Sequence, residues 1–190
     1  MRNWVKTALY IVLFTGATNY LPAFKKLAKP YRELKEVLPF DDFGWYNNAE
    51  SIKVIFSENP KIKIAVEVGC FMGKSTRHIA KLLPENGKIY AIDHWKGSEE
   101  NQPGQSSWYF GVSRLYEHFL SNAIHENLAH KIIPMKMDSL TTSKKLKVKP
   151  DFIYIDASHD TESVLRDLTA WYPFVKKRGI ICGDDYLWPS

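Results

Sequence analysis

The chain has 190 residues, of which 45% are hydrophobic and 25% charged, with two cysteines and a formal net charge of +5. That is one domain's worth of sequence with an ordinary folded composition, which excludes disordered, collagen-like and disulfide-stapled classes. The surplus of positive charge permits an anionic partner but is too mild to require nucleic acid. A domain of this size buries roughly 70% of its unfolded-chain surface, enough for a core without staples. Cys70 and Cys182 sit inside apolar runs, as small buried hydrophobes of a reducing compartment do, which points to the cytoplasm.

Residues 1–60 stand apart as an N-terminal helical extension. Arg2 and Lys6 precede an apolar run from Ala8 to Phe14, followed by Thr15-Gly16-Ala17. The run is too short to cross a bilayer, which takes about 20 apolar residues. Its charged start, short apolar stretch and small-residue end have the form of a secretory signal, which would make the protein exported or membrane-associated through residues 1–20. The other reading is a helix packed on the domain, with Tyr20, Leu21, Phe24 and Leu27 continuing its face. Lys25, Lys26, Lys29, Arg32 and Lys35 follow, either as a solvated helix face or as a peripheral contact with an anionic membrane surface.

Residues 61–190 form the second unit, in which short apolar runs alternate with helical stretches. Ile62 to Val68 is β-branched and almost continuously apolar, the pattern of a strand buried on both faces. Lys74 to Leu83 is predicted helical, Ile89 to Ile92 a strand, Trp108 to Leu128 a long amphipathic helix, and Ile132 to Met137 a third strand. Phe152 to Ile155, Glu162 to Val175 and Ile180 to Cys182 complete the alternation as strand, helix and strand. Such a pattern gives an α/β fold with a parallel sheet and right-handed crossovers. An open sheet of this kind binds ligands outside the carboxyl ends of its strands.

The first strand ends Glu67-Val68-Gly69-Cys70-Phe71-Met72-Gly73-Lys74-Ser75-Thr76. Gly69 and Gly73 free a tight strand-to-helix turn for close approach of a ligand, and Ser75 and Thr76 can help begin the helix. The spacing is neither the dinucleotide pattern nor a P-loop. The acid Glu67 also argues against a pyrophosphate and suits an ammonium or sulfonium group. The second strand ends Asp93-His94-Trp95, and Asp93 is placed either to accept hydrogen bonds from ribose hydroxyls or to cap its loop.

The segment Glu67-x-Gly69-x-x-x-Gly73-x-Ser75-Thr76 with Asp93 after the next strand resembles the class I S-adenosylmethionine-dependent methyltransferases, over about Lys61 to Asp185. The resemblance implies a Rossmann-like doubly wound sheet of about five parallel strands in order 3-2-1-4-5. The glycine turn, Phe71 included, would lie under the methionine portion, and Asp93 would hold the ribose. Asp138 and Ser139 would lie beside the adenine, with His94 in the neighbouring loop and Trp95 either covering the adenine or buried against the following loop. The C-terminal antiparallel hairpin usual in the family is expected to be absent, since Tyr186 to Ser190 follows the fifth strand directly. A strand edge left open in that way favours a homodimer or cover from the N-terminal residues.

The fourth strand leads into Asp156-Ala157-Ser158-His159-Asp160, and the fifth into Gly183-Asp184-Asp185. Three carboxylates, Asp156, Asp184 and Asp185, thus emerge from adjacent strands. Clustered carboxylates repel unless something positive lies among them. A hard divalent cation such as Mg²⁺ satisfies them and would lower the pKa of a bound substrate hydroxyl; local capping and loop hydrogen bonds are the other reading. The arrangement resembles metal-dependent O-methyltransferases of the catechol and sugar types. Ile155-Asp156-Ala157-Ser158-His159 through Asp167-Leu168 follows a bacterial methyltransferase pattern, with Ala157 in place of a usual Gly and Thr161 in place of a common Tyr. The first departure is minor if the backbone at Ala157 keeps a negative φ.

His159 is the leading candidate base, or else it orients a carboxylate or caps the next helix; His94 is a second candidate. Asp160 reads as a helix N-cap. The proline-containing motif of exocyclic-amine methyltransferases is absent, and aromatics are not interleaved with the basic residues, so no nucleic-acid partner is expected. The expected activity is methylation of a small hydroxylated acceptor. A protein or lipid acceptor, or a non-catalytic cofactor-binding module, are the alternatives.

Overall fold

The computed structural model of the protein describes residues 25–97 and 114–184. The signal-like segment 1–20, the start of the helix expected from Trp108 and the carboxylate of Asp185 lie outside the described residues. Strands β1 (Ile64–Val68), β2 (Lys88–Asp93), β3 (Ile132–Lys136), β4 (Phe152–Ile155) and β5 (Ile180–Gly183) form one sheet. Its order is β3-β2-β1-β4-β5, and each neighbouring pair is parallel, as expected.

The strands are apolar on both sides because both faces are covered. On one face Ala65, Ile89, Ala91 and Phe152 pack with α1 (Ala49–Glu58), α2 (Lys74–Leu82) and α3 (Leu115–His125) through Ile52, Phe56, Ile79, Leu115 and Phe119. On the other, Val66, Val68, Ile92, Ile153 and Ile155 pack with Trp171 at the end of α5 (Thr161–Trp171), beside which α4 (Ser139–Lys145) lies. Among the described residues no helix is long and apolar enough to cross a membrane.

In its described part before residue 49 the extension departs from the helical form expected of it. Between residues 25 and 48 its regular structure is a single 3-10 turn at Tyr31–Glu33, and α1 follows. It nevertheless belongs to the main core: Tyr31, Leu34, Ile52 and Phe56 are buried in the same cluster as Phe119, and the Tyr31 hydroxyl donates to the Ile132 carbonyl at 3.0 Å. Ser121 and Asn122 of α3 hold the strap that follows, Ser121 Oγ accepting from Leu38 N–H at 2.9 Å and the Asn122 amide donating to Asp41 O at 2.8 Å.

Two helices stop earlier than their hydrophobic pattern suggests. After α3 the chain leaves through Asn127 at φ +57°, and the Leu128 N–H turns back to Ala123 O at 2.8 Å, a left-handed helix exit. After α5, Pro173 supplies no N–H and residues 172–174 tighten into a 3-10 turn. Helix α4 was not predicted; its signal is Asp138, whose side chain accepts from the Thr141 N–H at 2.8 Å as an N-cap.

Candidate active site

A cavity of about 600 Å³ opens at the carboxyl ends of the strands. It is bounded by the glycine turn after β1, Asp93 at the end of β2, Asp138 and Ser139 after β3, Asp156 to His159 after β4 and Asp184 after β5, with Gly44 to Asn47 of the N-terminal strap on its rim. Neighbouring parallel strands put Val68 and Asp184, 116 residues apart in sequence, around one hollow.

The glycine turn is built by close contact. Gly69 has φ +84°, and a Cβ placed on it would fall 1.9 Å from the backbone oxygen of Asp156. Gly73, at φ +81°, begins α2, and a Cβ there would meet the Phe119 ring at 2.8 Å. Between them Phe71 takes a left-handed φ of +46°, unfavourable for a side chain this large. Its N–H donates to Asp93 Oδ2 at 2.9 Å and its carbonyl accepts from the Trp95 indole N–H at 2.8 Å, so both backbone groups are fixed. The ring is thereby turned toward Trp45 and Phe43 of the strap, at centroid distances of 5.7 and 6.1 Å.

Asp93 organises the turn as well as bordering the cavity. Its Oδ2 also accepts from Cys70 N–H at 2.9 Å, and its Oδ1 accepts from Trp95 N–H at 2.6 Å. A carboxylate offers about four lone-pair sites, so acceptor capacity is left for a ligand hydroxyl. His94 borders the cavity beside it, its Nδ1 accepting from Lys96 N–H at 3.0 Å.

Four residues expected at the cofactor stand behind the cavity wall instead. Glu67 is fully buried, and Ser75 and Thr76 donate their hydroxyls to its two carboxylate oxygens. Burial pushes its pKa up to about 7, against the opposing pull of those two hydroxyls. Glu67 therefore braces the turn from below rather than facing an ammonium or sulfonium group, and Thr76, also fully buried, serves that brace. Ser75 does the same while reaching the wall, and neither hydroxyl caps α2, whose N-cap is Gly73. Gly73 itself lies off the cavity, at the helix start. Trp95 does not cover an adenine: it is buried against Tyr116 and Phe119, with centroids at 4.6 and 4.8 Å.

At the far end, Asp138 borders the cavity while capping α4, and its hydrogen bonds to Thr141 hold its carboxyl below the usual range. Ser139 Oγ accepts from the Trp171 indole at 2.8 Å and bonds Asp167 of α5, a buried carboxyl whose pKa burial raises. The sole sequence signal of Asp167 is its place in the Asp156-to-Leu168 pattern.

Asp156, His159 and Asp184 come together on the same cavity, from the adjacent strands β4 and β5. Tyr154 of β4, fully buried, donates its hydroxyl to Asp184 Oδ2 at 3.0 Å and accepts from the Asn48 amide at 3.2 Å. Burial pushes the Tyr154 phenol far up, so it remains a donor. Asp160 caps α5 as expected, accepting from Ser163 N–H at 2.9 Å, and Ala157 keeps a negative φ. The donor chemistry of Asp156 and Asp184 suits a hard cation such as Mg²⁺. Among the described residues, however, no three His, Cys, Asp or Glu side chains are arranged to hold a metal, and Asp185 is not described. Neither Tyr46 nor Asn48 carried any motif in the sequence, yet both bear on this end of the cavity.

The strand order, the glycine turn and the acid at the end of β2 define a class I S-adenosylmethionine-dependent methyltransferase domain. A methyltransferase-domain family model matches residues 66–186, and the chain belongs to that family. It is 22% identical over 196 aligned residues to a 2-phytyl-1,4-naphtoquinone methyltransferase of Thermosynechococcus vestitus, covering 91% of this chain and 82% of that one. It is 29% identical to the tapetum-specific methyltransferase 1 of Arabidopsis thaliana over 72% of this chain, which spans half the length of that relative. In fold it is similar to an O-methyltransferase of Bacillus cereus solved with S-adenosylhomocysteine, with a TM-score of 0.57 and 16% identity, covering 93% of this chain and 70% of that one.

Proposed function

We propose that the protein transfers the methyl group of S-adenosylmethionine to a hydroxyl oxygen of a small acceptor. The observation that carries this reading is the continuity of one cavity from the glycine turn and Asp93 to Asp156, His159 and Asp184. The first part offers the backbone and carboxylate groups that a nucleoside and an amino acid tail need. The second offers acceptors for a hydroxyl proton. His159, an imidazole on the same wall, is suited to orient the acceptor oxygen there as it approaches the methyl carbon.

The Mg²⁺-assisted form of this reading rests on Asp156 and Asp184, with Asp185 as the next residue of the chain. Such an ion, when bound, lowers the pKa of a coordinated hydroxyl. Asp156 and Asp184 would hold it, while Tyr154 orients Asp184. The name of the Thermosynechococcus vestitus relative adds a lipophilic naphthoquinol, the hydroxyl-bearing reduced form of such a quinone, to the probes to be tried beside phenols and sugars.

The test has two stages. Calorimetric titration with S-adenosylhomocysteine should give saturable binding with or without EDTA. A radiolabelled methyl-transfer assay on hydroxylated probes should then show turnover that Asp156→Ala abolishes with cofactor affinity nearly intact. Full turnover in excess EDTA removes the metal from the reading, and absence of cofactor binding at millimolar concentration removes catalysis.

A further inference from the structure

Tyr46 is the one residue of the strap whose side chain connects the reaction cavity to a second hollow. It borders the main cavity and also a shallower one of about 390 Å³, lined by Phe40, Lys74, His78 and Lys81 among others, on the outer side of α2. Its hydroxyl lies 2.7 Å from His78 Nδ1. The side facing the cavity is acidic. Burial first of all pushes the phenol's pKa well up, and Glu67 behind the cavity wall, Asp156 and Asp184 on it, and Cys182 of β5 add to the shift. The ring stands edge-on to Tyr154 at 6.4 Å. On the other side His78 meets Lys81 of its own helix and Lys53 and Glu50 of α1, and burial with the two lysines lowers its pKa. At neutral pH the pair is therefore a protonated phenol donating to a neutral imidazole, which is the resting state a relay needs.

From this geometry we infer that Tyr46 and His78 carry the acceptor's proton out of the reaction cavity. The inference rests on the O-methylation reading above. As the acceptor oxygen bonds to the methyl carbon, the carbon–sulfur bond breaks and its electron pair stays on sulfur, leaving neutral S-adenosylhomocysteine. The hydroxyl proton passes to the Tyr46 oxygen while the proton of Tyr46 passes to His78 Nδ1. His78, now protonated on both nitrogens, returns one proton to water in the outer hollow and regains its Nε2–H tautomer by exchange with that water, while Tyr46 keeps the proton it took from the acceptor. One proton is released per methyl transferred. Each cationic sulfonium used leaves a neutral thioether, so the charge balances. Routing the proton away from Asp156 and Asp184 keeps those carboxylates ionised through the cycle.

The test uses the full chain with two phenolic probes, catechol and 4-nitrocatechol, the second already ionised near neutral pH. Tyr46→Phe removes the relaying hydroxyl. His78→Asn keeps an acceptor for Tyr46 but takes no proton. Both variants should lower kcat on catechol by about 100-fold, the scale of general acid–base assistance. On 4-nitrocatechol kcat should be unchanged, as should S-adenosylhomocysteine affinity. The wild-type kcat on catechol should fall as pH drops through the His78 pKa, and His78→Asn should lose that limb.

An unchanged kcat on catechol in His78→Asn overturns the relay, and so does an equal loss on both probes, which marks a purely structural tie. A wild-type protein that binds S-adenosylhomocysteine but methylates neither probe nor any other hydroxyl overturns the O-methylation reading, and the relay with it.

Discussion

A Cβ on Gly69 would sit 1.9 Å from the backbone oxygen of Asp156, so the turn at the cofactor end and the strand end at the reaction end touch with no side chain between them. The contact continues the β1–β4 ladder, where Asp156 N–H donates to Val68 O at 2.8 Å. The position of Asp156 relative to a bound cofactor is thus set by a backbone packing that one methyl group would break.

Gly69→Ala must therefore both adopt a left-handed φ and displace β4. The first costs about 1–2 kcal/mol, and the second adds to it because the obstacle is backbone. The variant should lose more than about 3 kcal/mol of stability by urea denaturation, and any folded fraction should bind S-adenosylhomocysteine poorly.

Asp93 accepts three backbone N–H groups, from Cys70, Phe71 and Trp95. Asp93→Ala leaves those donors without their acceptor and frees the left-handed Phe71. Affinity for S-adenosylhomocysteine should fall at least about tenfold, or about 1.4 kcal/mol by titration calorimetry. Asp93→Asn, which keeps one carbonyl oxygen, should fall less. Equal affinity in the alanine variant would place the nucleoside elsewhere.

The sequence made the sheet legible because its strands are buried on both faces and so read as unbroken apolar runs, and Asp93 and Asp160 were legible because each directly follows or precedes such an element. What it concealed was direction. Glu67 carries the same chemistry as Asp93 at the same kind of strand end, yet its carboxylate turns under the turn toward Ser75 and Thr76, and one-dimensional spacing does not record that. For Trp95 the sequence left both the adenine and the interior open, and the structure buries it at a left-handed φ of +50°. Tyr46 and Asn48 reach the site from a strap with no periodicity, joining His78 and Tyr154 across 32 and 106 residues.

The buried Glu67 has a stability signature that separates it from an exposed carboxylate. Its folded-state pKa, about 7, lies above the ordinary value of 4.5, so the fold favours the protonated form. The associated stability is fully present below about pH 4.5 and is lost as pH rises through about 7, an amount of about 3 kcal/mol by linkage. Glu67→Gln keeps the neutral shape and removes the titration. Urea denaturation at pH 5 and pH 8 should show a variant whose stability relative to wild type improves toward pH 8. A constant difference between the two would mean that Glu67 is already ionised in the fold at pH 5.

Tyr154 separates positioning of the reaction end from binding of the cofactor. Its hydroxyl bonds Asp184 at 3.0 Å and the Asn48 amide at 3.2 Å, while its ring is buried and has no place on the cavity wall. Tyr154→Phe keeps the ring packing and removes the hydroxyl that holds Asp184 Oδ2. Turnover on a hydroxylated acceptor should fall about tenfold, the worth of one hydrogen bond to a charged group, while S-adenosylhomocysteine affinity stays within twofold, about 0.4 kcal/mol. Asn48→Ala, which leaves the Tyr154–Asp184 bond in place, should cost less than that. A Tyr154→Phe variant that turns over at the wild-type rate would show that Asp184 needs no orientation from β4, and a parallel loss of cofactor affinity would show that the bond supports the whole cavity rather than its reaction end.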